Sequence, residues 1–183
     1  MNLVGTTNSN VESPERNKFL EKVISLSSKI LKYLSVDEAA DQHAKDFIHA
    51  SMPPHLTLRE KSRSIYGHGE EWENGRIVNV TELNPDSKIR LIRKRAARLV
   101  AEDNHLRIYH SMENSKVHKE FEAKYFDVEA EFVHAIDMLF HTYPEYIFID
   151  DLPLDSLEEK VAFAQEMYNG GLLMTEEPLV PIE

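Results

Sequence analysis

Four helix-start signatures divide this chain and constrain its fold more than any other feature. Ser13 stands before Pro14, a capping hydroxyl ahead of a proline at the first helical position. Ser35 with Glu38, Thr57 with Glu60 and Ser156 with Glu159 each have the spacing of a capping box, in which two orphan amides at a helix start are satisfied reciprocally. Apolar residues recur at helical spacing behind these starts: Leu20, Val23, Ile24, Ile30, Leu31 and Leu34, then Ala40, Ala44, Phe47 and Ile48, then Ile65 and Tyr66. The stops are equally clear at Met52-Pro53-Pro54, at Gly67 and Gly69, at Pro144 and at Gly170-Gly171. Asn84-Pro85 reads as the cap of a further helix, with Ile89, Ile92, Ala96, Leu99 and Val100 on one side. The longest helix is expected from Asn114 to Thr142.

This pattern predicts a mostly α protein, a compact bundle of about six helices with little or no β-structure. The alternative is an α/β arrangement whose small parallel sheet uses "RIVNV", "LRIY" and "YIFI"; these runs are shorter than the usual strand. A length of 183 residues suits a single domain with a sizeable core. The expected layout is a flexible lead-in over 1–12, one helical domain over 13–171 and an extended, proline-broken tail over 172–183. No apolar run approaches the ~18 residues of a membrane span, so no membrane contact is expected. The absence of cysteine excludes disulfides, thiolate zinc sites and a cysteine nucleophile. It also suits a reducing compartment, and the expectation is a cytoplasmic protein.

The net charge of −11 is unevenly spread. Residues 84–110 carry seven basic and three acidic groups, whereas residues 111–183 carry four and seventeen. Such a chain repels nucleic acid overall, so nucleic-acid contact is possible only through 88–98. On a helix through "SKIRLIRKRAARLV", Arg90, Lys94 and Arg98 lie opposite Ile92, Ala96 and Leu99. They form the candidate docking face for a protein partner. No aromatic residue interleaves them, so a single-strand stacking platform is not expected.

The stretch "EFVHAIDMLFHT" holds a glutamate, an aspartate and two histidines. On a helical wheel of about 100° per residue, Glu131, His134, Asp137 and His141 fall on the side away from the apolar arc. They read as a solvated face, with His134 and His141 exposed and Phe121, Val128, Phe132 and Leu139 buried. On the same wheel His118, Glu122 and Glu129 fall inside the apolar arc. A carboxylate there must be paired, protonated or bound to metal. With His43 on the apolar side of its own helix, they are the candidate ligands for a di-iron or other divalent metal centre of the kind bundles build.

"RSIYGH" has an Arg-x4-His spacing that resembles the active motif of HEPN-type ribonucleases, which are also helical. The resemblance covers six residues. It implies Arg63 and His68 as the pair that positions and protonates phosphate chemistry. No phosphate-cradling loop, nucleotide fingerprint or Ser-His-Asp motif is present. The reading that follows is a small acidic intracellular regulatory protein without a cofactor, an adaptor or inhibitor acting through a protein partner. The alternatives are a metal-dependent enzyme with a carboxylate–histidine site inside the bundle, and the ribonuclease. The oligomeric state is not legible.

Overall fold

The computed structural model describes residues 13–67, 71–73, 76–78 and 81–180. The chain divides into two units, residues 1–40 and 41–183. In the first, helix α1 spans Pro14–Leu31. It starts where the sequence says: Ser13 accepts a hydrogen bond from the Arg16 amide, and Pro14 occupies the first turn. It buries no residue, and Leu20, Ile24, Ile30 and Leu31 remain more than half exposed. Helix α2, Val36–Ala50, begins in this unit, where the Glu38 amide donates to the Ser35 hydroxyl, and continues into the second.

The second unit overturns the expectation of a helical bundle. Besides the helices, eight short strands are found among the described residues, in three antiparallel sheets. After α3 (Leu58–Lys61), β1 (Glu71–Glu73) pairs with β2 (Arg76–Val78). β3 (Lys88–Leu91) is flanked by β7 (Ile147–Phe148) and β8 (Leu173–Thr175). β4 (Ala97–Glu102), β5 (His105–His110) and β6 (Tyr125–Val128) form the third sheet. The three runs proposed as one parallel sheet therefore fall in three different sheets. Helix α4 spans Val133–Thr142 and α5 spans Leu157–Asn169.

The helix expected after Asn84-Pro85 is a turn followed by strands. The Ser87 amide donates to the Asn84 carbonyl at 2.9 Å, and the Asn84 amide to the Ser87 hydroxyl at 3.0 Å. Proline in the second position of a turn that opens with asparagine is ordinary turn chemistry. Beyond it, Lys88-Ile89-Arg90-Leu91 alternates with period two, Ile89 and Leu91 being buried. Asp103 and Asn104, with φ of 49° and 62°, turn β4 into β5, as short hairpin turns require.

The long helix over 114–142 shrinks to α4. Residues 111–124 are irregular, and Lys119 has φ of 49°. Tyr125-Phe126-Asp127-Val128 then alternates outward and inward as β6. A 3-10 turn over Ala130–Phe132 leads into α4. Leu139 is buried and His134 and His141 are exposed as expected, but Phe121 is 62% exposed and Val128 and Phe132 are half-buried. One cluster dominates the core: Ile89, Leu91 and Ile92 from the β3 segment, Ile136 and Leu139 from α4, Phe163 and Tyr168 from α5, and Leu173 and Met174 from β8.

Candidate functional site

The basic segment is split among elements, so Arg90, Lys94 and Arg98 share no helix face. Arg90 lies on β3, with its guanidinium 5.6 Å and 5.1 Å from the ring centres of Tyr143 and Tyr146. Lys94 lies in the 3-10 turn Lys94–Ala96, and Arg98 on β4. The turn and β4 nevertheless place Lys94, Arg95 and Arg98 around one cleft of about 520 Å³. Phe47 and Ile48 of α2, Ala97 and Leu99 of β4, and Phe140 of α4 supply its apolar wall. Asp137 and His141 complete the rim, and His141 Nδ1 lies 2.8 Å from the Asp137 carbonyl.

Electrostatically the rim is unequal. Arg98 is committed: its guanidinium holds Asp41 at 2.7 Å. Lys94 and Arg95 are exposed and belong to none of the ion pairs among the described residues. The apolar wall is steadied by a network behind it. Glu102, at the end of β4, accepts from Lys45 of α2 at 2.6 Å, from Arg107 of β5 at 3.1 Å and from the Tyr109 hydroxyl. The bonds from Lys45 and Tyr109, opposed by burial, hold the Glu102 carboxyl down at about 2. Lys45 also sits 4.6 Å from the Tyr109 ring centre. This cluster ties α2 to the β4–β5 hairpin and so sets where Phe47 and Ile48 meet the basic residues.

The proposed metal ligands do not converge. His43 is exposed on α2, His118 and Glu122 are exposed on the irregular 111–124 segment, and Glu129 caps the turn before α4. A divalent metal centre needs several such ligands converging on one point. Among the described residues no three His, Asp or Glu side chains stand close enough for any such centre. The wheel that joined His118, Glu122 and Glu129 assumed one helix where the chain is loop, strand and turn.

Arg63 lies just past α3 in a turn. Its carbonyl accepts from the Thr175 amide at 2.8 Å, and its guanidinium approaches Glu177 at 3.7 Å. His68 lies outside the described residues. Sequence reasoning missed Arg95, Phe47 and Phe140 as cleft residues. Arg95 was visible in "RKR", but the two phenylalanines are joined to it only by the tertiary fold.

Comparison with known proteins agrees with this mixed architecture. A family model, ribosomal oxygenase 1, C-terminal winged helix domain, matches residues 52–179. Human ribosomal oxygenase 1 is 39% identical over 180 residues, which is 98% of this chain and 28% of that protein. The bifunctional lysine-specific demethylase and histidyl-hydroxylase NO66 of Branchiostoma floridae is 37% identical over 178 residues, 97% of this chain and 29% of that protein. For ribosomal oxygenase 1 of Danio rerio the figures are 36% over 177 residues, 96% and 32%. The chain therefore spans less than a third of the length of these relatives. By their names these relatives are enzymes, an oxygenase and a demethylase with hydroxylase activity.

Proposed function

This chain belongs to the ribosomal oxygenase 1 C-terminal winged helix family, and on that footing we propose that it is the docking part of a metal-dependent oxygenase. It holds a macromolecular partner through the basic-rimmed cleft, and the oxygenation is the work of other residues than those described here. The observation that carries this reading is the pairing of two uncommitted cations, Lys94 and Arg95, with an apolar wall formed by Phe47 and Phe140. Buried apolar surface supplies affinity, while the exposed cations steer an acidic partner surface into place. In a chain of net charge −11 such a basic rim is a local exception, which gives the surface a defined polarity. The adaptor or inhibitor reading gives way to this one, in which binding serves an enzyme of the relatives' kind.

Two measurements test it. The chain purified without an affinity tag is expected to carry no stoichiometric transition metal after incubation with iron or manganese; stoichiometric metal would put a centre in this chain and overturn the division of labour. The relatives' name also suggests a ribosome-associated partner. Co-sedimentation with ribosomal particles at low salt is expected for the wild type and should fall about tenfold in Lys94→Glu/Arg95→Glu, since each reversed charge changes an exposed pairing by up to about 1 kcal/mol. Equal sedimentation of both proteins would remove the cleft from the function.

A further inference from the structure

We propose that a second pocket, formed by β6, the 130–132 turn and α5, binds the basic side chain of a lysine or arginine presented by a partner. It is separate from the cleft at Lys94, and the inference does not depend on that reading. The pocket measures about 100 Å³. That is below the ~300 Å³ at which small-molecule sites begin, and suits the end of one side chain.

Its walls follow from two periodicities. Alternation along β6 turns Phe126 inward, and the 130–132 turn adds Phe132. Helical spacing puts Phe163 and Met167 of α5 on the opposing side, with Glu166 at the edge. Phe132 and Phe163 stack with ring centres 5.2 Å apart. Gly170 leaves no Cβ between the end of α5 and the Phe126 ring, which a methyl group there would strike. Aromatic rings attract cations through their quadrupole, most strongly when the cation is partly desolvated.

The rim is anionic and only partly compensated. Asp127 is committed to Arg107 at 3.0 Å. Glu129 and Glu166, which also line the pocket, appear in no ion pair among the described residues. Glu129, Asp155 and Glu159 all lie near enough to act on the charge of Glu131. Partial desolvation first, then these neighbouring carboxylates, push the carboxyl of the exposed Glu131 above its ordinary value. Carboxylates crowded this way gain from a cation held between them. A hard metal ion would need several converging oxygen ligands, and no such group exists among the described residues. Phenylalanine rings and a thioether beneath two carboxylates suit an alkylammonium or guanidinium instead.

The test is a nuclear magnetic resonance titration of the 183-residue chain with N-acetyl-lysine methylamide, its trimethyl-ammonium form, the arginine analogue and the uncharged norleucine analogue. The ring resonances of Phe126, Phe132 and Phe163 are expected to shift with the three cations and not with norleucine, and the shifts should diminish with added salt. Glu129→Gln and Glu166→Gln should each weaken binding about fivefold, in line with a partly exposed charge pair. Glu166→Lys, which places a cation of its own at the rim, should abolish binding. Phe132→Leu, which keeps an apolar wall but removes a ring face, should weaken binding of all three cations. Thermal melts confirm that each variant is folded. Equal shifts with norleucine would make this an apolar cavity without charge recognition. No shift with any probe, or undiminished binding in both glutamine variants, would also overturn the site.

Discussion

At the residue scale, His110 shows how burial turns an ordinary side chain into a pH-dependent element. It is 2% exposed, stacks on Phe126 with ring centres 4.9 Å apart, and its Nδ1 has no partner. Burial holds its pKa below the usual imidazole value; Glu113 opposes that shift and Lys124 reinforces it. Below the free value of about 6.5, the unfolded chain takes up a proton that the folded chain refuses. Stability should therefore fall as pH drops from about 6.5 toward the lower folded value, by up to about 1.4 kcal/mol per pH unit, and this group should have no effect above that window. Urea unfolding between acid and neutral pH checks this. The slope assigned to His110 should vanish in His110→Phe, and an unchanged slope would assign the acid sensitivity elsewhere. Glu60 shows the opposite outcome of burial. Desolvation alone would raise its pKa, but bonds from the Thr57 amide and hydroxyl and from Arg93 bring it below the ordinary value.

At the element scale, the helix ends behave as local devices. Ser156 and Glu159 form the full capping box of α5, and Gly171 closes the helix at φ 73°. The Leu172 amide bonds back to the Met167 carbonyl and the Gly171 amide to that of Tyr168, the hydrogen-bond pattern of a left-handed C-terminal cap. A Cβ at Gly171 would meet the Tyr66 hydroxyl. The left-handed backbone alone costs a side chain about 1–2 kcal/mol. Gly171→Ala should thus destabilise the chain by about 2 kcal/mol or more in urea unfolding, and a loss under about 0.5 kcal/mol would contradict the strain argument. Ser13, Ser35, Thr57, Ser156 and Gly171 were all legible because each bonds to groups only a few residues away.

At the scale of the whole molecule, the decisive links join distant segments. Glu102 binds Lys45 of α2 and Arg107 and Tyr109 of β5 at once. Its folded pKa of about 2 lies below the free value of 4.5. Its stabilisation is present above about pH 4.5 and is lost as pH falls toward 2. Glu102→Gln should cost about 1.5–3 kcal/mol, the range for hydrogen bonds to charged groups. It should also speed amide hydrogen exchange in β4 and β5 ahead of α5. Uniform acceleration across all elements would mean that the cluster does not specifically hold the hairpin. The charge segregation seen in the sequence resolves partly into such cross-chain pairs, Lys88 with Glu176 and Arg107 with Asp127 among them. Lys94 and Arg95, and on the acidic side Glu129 and Glu166, are left outside them.

By itself the sequence determined where α1, α2, α3 and α5 begin, where α5 ends, and that the 131–142 histidines face water. These are matters of backbone groups satisfied nearby and of one face turned from the core. The tertiary structure alone decided the strands. Ile89 lies opposite both Ile147 and Thr175, and Ile108 opposite Phe126, partners that no local periodicity names. Apolar residues spaced along 84–100 and 114–132 suit a helix until a strand elsewhere supplies ladder hydrogen bonds and buries the alternate side chains. The candidate sites share that dependence. Glu129 stood out in the sequence as a carboxylate among apolar residues, but its neighbours Phe163 and Glu166 come from α5, brought beside it only when sheet and helix close on a common core.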